Sequence, residues 1–429
     1  MDIKELYKIY LQHPVVSTDS RNCPKGALFF ALKGERFDAN DYIEQVLQSG
    51  AAYAIGDKKD LPEDSRIIKV DNVLKTLQEL ANYHRKQMNV KVIGITGTNG
   101  KTTTKELLAT ALGAKYKVLY TLGNLNNHIG VPLTLLRLTS EHQYAIVEMG
   151  ANHPHEIMEL CSIAEPDFGL ITNVGKAHLE GFGSFEGVIR TKTELYDFLR
   201  DKDGIVFANL DNNYLKPLYP YLNTITYGSD REAFVSGKVV EGKTLSLSWS
   251  RGSDNYSLTT NLVGAYNFEN VLAAISVASY FGVDADLINE AIAIYSPSNS
   301  RSEYKKTLRN ELIIDAYNAN PTSMRAALEN FSSLDVPNKM VILGEMKELG
   351  KYSAQEHRNI IDFLADSNFQ QIILVGESFA NPPLLPPNWN VFNSTELLMD
   401  YLSNNKLAGY NILIKGSRGN QLEKVVELL

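Results

Sequence analysis

The residues with the clearest chemistry form a glycine-rich turn between an apolar run and a helical pattern, VKVIGITGTNGKTTT at 90–104. Backbone N–H groups in such a turn can surround phosphate oxygens, and the following helix N-terminus adds a favourable dipole. Lys101 would reach the terminal phosphates, and the Thr102 hydroxyl would ligate Mg²⁺. The alternative is a tight strand-to-helix turn without a ligand, because Ile95 replaces the first glycine of the strict G-x-x-x-x-G-K-[ST] pattern. The residues expected to hold a nucleotide are Gly97, Thr98, Asn99, Gly100, Lys101, Thr102 and Thr103.

Polar side chains also follow two other apolar runs. Glu148 closes the run in YAIVEMG at 144–150, and His178 follows FGLITNV at 168–174. Ligands of open α/β sheets lie beyond the carboxyl ends of the strands, and Mg²⁺ prefers few carboxylates with phosphate and water. Glu148 is therefore predicted to hold magnesium beside Thr102, with a salt bridge or cap as the alternative. For His178, a structural hydrogen bond is as compatible as a metal role, since histidine is not a favoured Mg²⁺ ligand.

Further segments carry polar groups whose roles the pattern leaves open. Lys192 lies in the helical GVIRTKTELYDFL, where a solvated helix face is the simplest interpretation. Asn267 and Asn270 of GAYNFEN are spaced i, i+3 at a helix start, where they could cap the helix or bond a nucleobase. Asp315 ends a strand in DAYNANP, and KGSRG at 415–419 provides cations suited to a carboxylate.

These segments belong to a regular alternation of strands and helices, which predicts an α/β fold. The strand patterns are continuously apolar, as expected for strands buried on both faces of a parallel sheet. Strands are predicted at 90–96, 144–150, 168–174, 204–209, 312–316, 340–343, 371–376 and 411–415, and helices at 103–112, 185–199, 270–281 and 322–331. Residues 224–260 predict local antiparallel strands.

A length of 429 residues suggests about three domains. Boundaries are predicted near 84–89, before the first long strand, and at the Pro/Ser/Asn-rich YSPSNS of 295–300. The expected units are a mixed α/β domain at 1–88, a central nucleotide-binding domain at 89–297 and a small doubly wound domain at 298–429.

Composition excludes several classes of protein. The balance of 42 Lys+Arg against 50 Asp+Glu, a net charge of −8, argues against a non-specific nucleic-acid or anionic-membrane binder. Two cysteines, Cys23 and Cys161, allow neither a disulfide framework nor a four-thiolate zinc site. The start MDIKELYKIY lacks a signal-peptide core, and no run reads as a membrane span. We expect a soluble, cytoplasmic protein, with a monomer as the default.

Together the segments resemble the Mur ligase family over essentially the whole chain. TGTNGKTT, VEMG, TNVGKAHLEGF, a lysine at 192, GAYNFEN and DAYNANP occur in the family's order and spacing. The dipeptide-adding members are the most similar, through STDSR (17–21), GALFFALKGERFDANDY (26–42), GNLNNHIGVPLTLLRL (123–138), GEMKELG (344–350) and KGSRG. The resemblance implies a central, mostly parallel sheet with a P-loop ATPase core and a C-terminal Rossmann-like domain.

The implied reaction adds D-alanyl-D-alanine to UDP-N-acetylmuramoyl-tripeptide through an acyl phosphate made from ATP, in peptidoglycan precursor synthesis. One alternative is a related ligase that adds a single amino acid to the muropeptide or glutamate to a folate. An alternative of another class is a non-catalytic P-loop nucleotide-binding protein.

The resemblance also implies residue roles. Two magnesium ions would be held by Thr102 and Glu148 and by His178 and Lys192, the lysine carbamylated by CO₂; Lys101, His178 and Lys192 would be catalytic. Arg301 and Asp315 would join Asn267 and Asn270 around ATP, with Ser300 replacing the family's usual glycine before Arg301, and the domains would close on ATP. The substrate residues would be Ser17, Asp19, Ser20 and Arg21 at the uridine end, Asn124, Asn126 and Asn127 along the muropeptide, and Asn318, Asn320, Lys415 and Arg418 toward the dipeptide.

Overall fold

The computed structural model describes residues 2–240, 242, 244–297, 300–380, 385–386 and 388–429. Over these residues the strands form three sheets that follow one another along the chain. The predicted three-part α/β architecture is confirmed. Part of the linker predicted at 295–300, residues 298–299, lies outside the described residues. None of the described helices is both long and apolar enough to cross a membrane.

The first sheet is small, parallel and in sequence order. Its described strands are β1 (Val16–Ser17), β2 (Leu28–Phe30), β3 (Tyr53–Gly56) and β4 (Ile67–Lys69), accompanied by helices α1 (Ile3–Gln12), α2 (Ile43–Gln48) and α3 (Val73–Gln87). Successive residues of β2 serve opposite faces. Leu28 and Phe30 pack into the core that contains α1 and α3, whereas Phe29 packs into the core that contains α2.

The central sheet runs in the order β13-β12-β11-β10-β9-β8-β5-β7-β6 over the described residues. Its strands are β5 (Lys91–Thr96), β6 (Val118–Tyr120), β7 (Tyr144–Glu148), β8 (Phe168–Ile171), β9 (Ile205–Asn209), β10 (Asn223–Gly228), β11 (Val235–Val240), β12 (Ser246–Arg251) and β13 (Asp254–Thr259). Its helices are α4 (Lys101–Gly113), α5 (Gly130–Leu135), α6 (Glu156–Ala164), α7 (Leu179–Phe182), α8 (Phe185–Asp201), α9 (Phe268–Tyr280) and α10 (Ala285–Ile294).

The antiparallel strands predicted over 224–260 are only partly correct. Strands β11, β12 and β13 pair antiparallel, but β10 pairs parallel with β9 and with β11 and so extends the main sheet.

A glycine in β8 lets helix α8 lie close to the central sheet. A Cβ at Gly169 of β8 would lie 2.8 Å from Leu199 Cδ1 of α8. The glycine thus allows α8 to pack directly on the sheet.

The third sheet has the order β14-β15-β19-β16-β17-β18, parallel except for β14. Its described elements are β14 (Glu303–Lys306), β15 (Glu311–Asp315), α11 (Pro321–Ser333), β16 (Lys339–Gly344), α12 (Ser353–Ala365), β17 (Gln371–Val375), α13 (Glu377–Ala380), β18 (Asn390–Phe392), α14 (Thr395–Asn404) and β19 (Asn411–Lys415). The sequence predicted four of these strands. The two others, β14 and β18, are short edge strands without a buried apolar run. Short 3₁₀ helices lie at Ala39–Tyr42, Lys216–Tyr221, Ala265–Asn267, Gly350–Tyr352, Arg418–Asn420 and Leu422–Leu428.

The first and central units share one hydrophobic core. Helix α3 packs against α5 and α6, and its Leu77 and Leu80 belong to the same buried cluster as Val147 of β7. Beyond that cluster, Arg85 donates hydrogen bonds to the carbonyls of Ala164 (3.1 Å) and Glu165 (3.0 Å) and to the Asp167 carboxylate (3.0 Å). The two units are therefore joined by packing as well as by the chain.

Replacing Arg85 tests how strongly this junction contributes to stability. Because two carbonyls and the Asp167 carboxylate each lose a donor, we expect Arg85→Met to lower the free energy of unfolding by roughly 2 kcal/mol. Chemical denaturation measures the change. The matched control is Lys86→Met, which removes the ion pair with Glu165 from a half-exposed side chain and should cost about 0.5 kcal/mol or less. Equal effects of the two variants would contradict the conclusion that Arg85 stabilises the junction between the first and central units.

Candidate active site

The phosphate-type loop lies between the end of β5 and the start of α4, as the sequence predicts. Gly97 and Gly100 have φ of +140° and +78°, a region that favours glycine. A Cβ at Gly97 would lie 2.1 Å from Thr172 Oγ1, and one at Gly100 would lie 2.3 Å from Asn270 Oδ1. The glycines are required because the loop is wedged between the end of β8 and the start of α9.

The residues after β8 fix the conformation of this loop. The backbone N–H of Thr98 donates to the Asn173 carbonyl (2.9 Å), and that of Asn99 donates to Asn173 Oδ1 (3.0 Å). Thr172 Oγ1 donates in turn to the Asn99 carbonyl at 2.6 Å. These contacts within the protein hold the loop in shape, and such preorganisation favours anion binding.

The Lys101 ammonium lies over the loop. Its Nζ donates to the carbonyls of Gly97 (2.8 Å) and Thr98 (3.0 Å). Burial lowers the pKa of Lys101 to about 8, while the negative charge of Glu148 acts in the opposite direction. Because its two acceptors are neutral carbonyls, the ammonium can exchange them for phosphate oxygens.

Glu148, at the end of β7, is the centre of a buried polar cluster. The Thr102 hydroxyl donates to its carboxylate, 3.0 and 3.2 Å from the two oxygens, and Asn126 Nδ2 donates to Oε1 at 2.8 Å. The Lys105 ammonium lies 3.6 Å from Oε2. The sequence reasoning predicted the Thr102–Glu148 proximity but missed Lys105.

The donors in this cluster suit magnesium. One carboxylate and one hydroxyl are hard oxygen ligands, and Mg²⁺ completes its shell with phosphate and water. Among the described residues, no group of three or more His, Cys, Asp or Glu side chains could hold a metal ion. An ion here would therefore depend on a bound nucleotide for the rest of its ligands.

Lys192 of α8 is buried, so the interpretation as a solvated helix face is wrong. The residue is 2% exposed, its Nζ donates to the Ala151 carbonyl at 3.4 Å, and the ammonium lies 5.4 Å from the Phe182 ring centroid. Burial, followed by the positive charge of Lys101, holds the pKa of Lys192 well below its usual range. An amine in this environment is readily neutral.

His178 faces a carboxylate from the third unit. Its Nδ1 lies 2.5 Å from Glu348 Oε2, and the contact with His178 holds the pKa of the Glu348 carboxyl below its usual range. The GEMKELG segment contains Glu348, but the sequence pattern alone does not identify it as a site residue. Its position shortly after β16 was the available signal, since the other polar groups of the site also follow strand ends.

Asn267 and Asn270 do not cap α9. Asn267 makes no side-chain capping bond, and its Nδ2 donates to the Val263 carbonyl at 2.9 Å. Asn270 Nδ2 donates to Asn267 Oδ1 at 3.0 Å, and Thr104 Oγ1 donates to Asn270 Oδ1 at 3.1 Å. Both amides are buried beside the glycine loop, so capping is ruled out, whereas the nucleotide role stays a prediction.

Two strand ends of the third unit carry an ion pair. Asp315 and Lys415 are neighbours in register on β15 and β19, and Lys415 Nζ lies 2.5 Å from Asp315 Oδ2. Lys415 is 1% exposed and also donates to the Asn318 carbonyl at 3.3 Å. Lys415 is therefore already ion-paired with Asp315, and its role as an anchor for the dipeptide carboxylate stays a prediction.

Arg301 and Arg418 meet at one aromatic ring. The Arg301 guanidinium carbon lies 3.6 Å from the Tyr317 ring centroid, and that of Arg418 lies 5.4 Å from it. Arg301 Nε has no hydrogen-bond partner among the described residues. Ser300, which precedes it, has a φ of +53°, so this position has the backbone conformation that the family's usual glycine adopts readily.

The third unit also contacts the glycine loop directly. Asn320 caps α11, accepting from the Ser323 N–H at 2.9 Å, and its Nδ2 donates to Asn99 Oδ1 at 2.7 Å. Farther out, Lys176 Nζ lies 2.8 Å from Glu356 Oε1. Asn320 therefore links the start of a third-unit helix to the loop, a role that the sequence reasoning did not predict.

Most of the predicted residues line one cleft of about 880 Å³ between the central and third units. This volume is within the range of ligand pockets. The predicted residues that line it are Thr98, Asn99, Gly100, Lys101, Thr102, Thr103, Asn124, Asn126, Asn127, Glu148, His178, Asn267, Asn270, Arg301, Asp315, Asn318, Asn320, Lys415 and Arg418. Gly97 and Lys192 are not among the lining residues.

The predicted uridine-end residues lie elsewhere. Ser17, Asp19, Ser20 and Arg21 do not line the cleft. Ser17 ends β1 and the other three follow it in the first unit, where Arg21 pairs with Asp19 at 2.9 Å at an exposed turn. Asn127 lines the cleft but also accepts from the N–H groups of Ile129 and Gly130 at the start of α5. Its oxygen thus has a structural use.

Models of known protein families match segments in all three units of the chain. Models of the Mur ligase family catalytic domain, the Mur ligase middle domain and the Mur ligase glutamate ligase domain match residues 14–85, 95–278 and 300–418. The chain is 34% identical over 426 residues to the UDP-N-acetylmuramoyl-tripeptide–D-alanyl-D-alanine ligase of Bacillus subtilis, covering 96% of this chain and 92% of that relative.

Two solved structures have the same fold over nearly their full length. MurF from Acinetobacter baumannii superposes with a TM-score of 0.85 at 31% identity, covering 96% of this chain and 92% of that chain. MurF ligase from Thermotoga maritima, solved in complex with ADP, has a TM-score of 0.85 at 27% identity, covering 97% of each chain. The chain therefore belongs to the Mur ligase family.

Proposed function

We propose that this chain is an ATP-dependent ligase of the MurF type, which joins UDP-N-acetylmuramoyl-tripeptide to D-alanyl-D-alanine in peptidoglycan precursor synthesis. The observation that carries the proposal is one cleft in which a preorganised phosphate loop, the Glu148 cluster and third-unit cations converge. The full-length similarity to relatives of that name supports the choice of substrates. We infer that it acts in the cytoplasm, where its substrates ATP and the UDP-linked precursor are available.

The chemistry follows from the poor reactivity of a carboxylate. Its oxygen attacks the γ-phosphorus of ATP, which forms an acyl phosphate and releases ADP. The neutral amine of D-alanyl-D-alanine then attacks the acyl carbon, phosphate leaves, and the nitrogen loses a proton to give the amide. The first step brings negatively charged oxygens together, so positive charge and N–H donors must surround the transferred group.

We assign the phosphate side of the cleft to the central unit. The loop Gly97–Gly100 and Lys101 bind the β- and γ-phosphates of ATP, and Lys101 exchanges its carbonyl partners for phosphate oxygens. Thr102 and Glu148 would hold one Mg²⁺, while His178 and the modified Lys192 would contribute to a second. Bound magnesium offsets the negative charge of the phosphates and polarises the transferred group. Thr103, Asn267, Asn270, Arg301 and Asp315 surround the rest of the nucleotide.

The two substrates are assigned to all three units. The first unit (1–88) holds the uridine end with Ser17, Asp19, Ser20 and Arg21. The central unit (89–297) holds the muropeptide along Asn124, Asn126 and Asn127. The third unit (298–429) receives the dipeptide near Asn318 and Asn320, with Arg418 as the anchor of its carboxylate.

Lys192 is assigned a carbamate. A neutral amine can attack the carbon of CO₂, and loss of a proton then leaves an N-carboxylate with a net negative charge. The environment of Lys192 favours this step, since burial and the nearby Lys101 charge both disfavour the ammonium. The resulting anion would offset the charge of Lys101 and supply hard oxygen atoms for a metal ion.

The substrate assignment is tested by phosphate release with the UDP-tripeptide and ATP. We expect D-alanyl-D-alanine to stimulate release, whereas free glutamate and lysine leave the basal rate unchanged. Lys101→Met should reduce the stimulated rate by about 100-fold or more, because the transferred group loses a positive charge. Stimulation by a single amino acid instead would move the chain to another branch of the family, and nucleotide binding without product would contradict a ligase.

The carbamate is tested by ¹³C NMR of protein equilibrated with ¹³CO₂. We expect one carbamate resonance that is absent from Lys192→Ala, and a loss of ligase activity in that variant of about 100-fold. Lys202→Ala, at the exposed residue that follows α8, is the control and should keep both signal and activity. A wild-type spectrum without the resonance would refute the carbamate.

The dipeptide anchor is tested by a pair of variants. Arg418→Met should raise the KM for D-alanyl-D-alanine roughly 10- to 100-fold, the cost of one charge-assisted hydrogen bond. Lys415→Met should instead lower stability by about 3 kcal/mol, because it leaves the Asp315 carboxylate without its partner. Steady-state kinetics and denaturation separate the two effects. An unchanged KM in Arg418→Met would rule out this anchor.

A further inference from the structure

Lys105 is a buried lysine beside the Glu148 cluster, and the reaction described above does not use it. It lies on α4 one turn after Lys101, with a side chain that is 1% exposed. Its Nζ has no hydrogen-bond partner among the described residues. A buried ammonium is unfavourable unless an opposite charge is close.

Two carboxylates lie within ion-pair distance of this ammonium. Glu148 Oε2 is 3.6 Å away and Glu106 Oε1 is 3.8 Å away, and the Tyr120 ring centroid lies at 6.0 Å. The side chain of Glu106 is 22% exposed and accepts a hydrogen bond from the Tyr295 hydroxyl at 2.6 Å, whereas that of Glu148 is 2% exposed. Because water screens charges at an exposed site, Glu148 is the stronger partner of Lys105.

Lys105 reaches Glu148 from the interior of the protein. Glu148, Lys101 and Thr102 all line the cleft, whereas Lys105 is not among the lining residues. The carboxylate therefore has an internal cation on one side and the cleft on the other. A divalent cation that entered from the cleft would share this carboxylate with the Lys105 ammonium.

We propose that Lys105 is a positioning residue: an internal counter-ion that holds Glu148 in place before the metal arrives and then competes with magnesium for the same carboxylate. The inference rests on the proposed role of Glu148 as a magnesium ligand. Lys105 thereby keeps the magnesium affinity of the site moderate, so that the magnesium–nucleotide product can leave the cleft after each turnover.

Two opposing effects decide the sign of the expected change. Loss of Lys105 removes a support of the carboxylate, which by itself would weaken metal binding. It also removes the repulsion between two cations around one carboxylate, which strengthens metal binding. The second effect dominates, because Thr102 and Asn126 still orient Glu148 with hydrogen bonds of 2.8–3.2 Å when Lys105 is absent.

The experiment compares Lys105→Met, Lys105→Arg and wild type in two measurements on the full chain. Calorimetric ADP binding over a series of magnesium concentrations gives the concentration for half-maximal effect, and thermal unfolding without nucleotide or metal gives stability. We expect Lys105→Met to unfold at a lower temperature than wild type. It should also reach the half-maximal effect on ADP binding at about tenfold less magnesium, because one ion-pair interaction with Glu148 is lost. Lys105→Arg should resemble wild type in both.

The control is Lys117→Met, which removes a lysine of the same unit whose partner, Glu141, is exposed like itself. It should leave the magnesium requirement unchanged. Should Lys105→Met fail to fold, Lys105→Gln provides the neutral variant. An unchanged or higher magnesium requirement in the neutral variant overturns the inference, because a merely supporting lysine gives that result.

Glu148→Gln separates this inference from the proposed function. If magnesium acts through Glu148, this variant needs more magnesium for the same ADP affinity. An unchanged requirement in Glu148→Gln would contradict the metal assignment itself. A raised requirement in Glu148→Gln with no change in the neutral Lys105 variant would overturn the counter-ion alone.

Discussion

A carboxylate buried at the end of a parallel strand needs donors and positive charge around it, and this requirement organises the centre of the molecule. Glu148 receives a hydroxyl from α4 and an amide from the segment before α5, with the Lys105 ammonium close behind it. The strand order makes these contacts possible. Because β5 and β7 are neighbours, with Ile95 opposite Glu148 in the register, the loop after β5 opens beside the carboxylate.

The third unit contacts the same edge of the central sheet. Asn320 bonds to Asn99 of the glycine loop, Glu348 meets His178, and Glu356 pairs with Lys176. In each contact, one residue lies in or near the phosphate loop. The other follows a strand or lies at the start of a helix in the third unit. The cleft therefore has walls from two units, and neither unit carries all of its polar groups.

Much of this arrangement could be predicted from the sequence, since buried parallel strands leave continuous apolar runs and their polar ends mark one edge. The glycine loop, Glu148 and Asp315 were located in this way. Burial of individual charges could not be predicted, because it depends on which elements pack together. Lys192 is enclosed although its helix carries charged neighbours, and Lys415 is neutralised by a residue 100 positions away along the chain. Edge strands such as β14 also lack the apolar signal.

Helix α3 has a geometric consequence for ligand selection. Since it packs into the first unit and against α5 and α6, the first and central sheets are held together through one hydrophobic core. The distance from β1 to the glycine loop is thereby set by side-chain packing as well as by the chain. Under the proposed function, a muropeptide that binds at both places must match this distance in length.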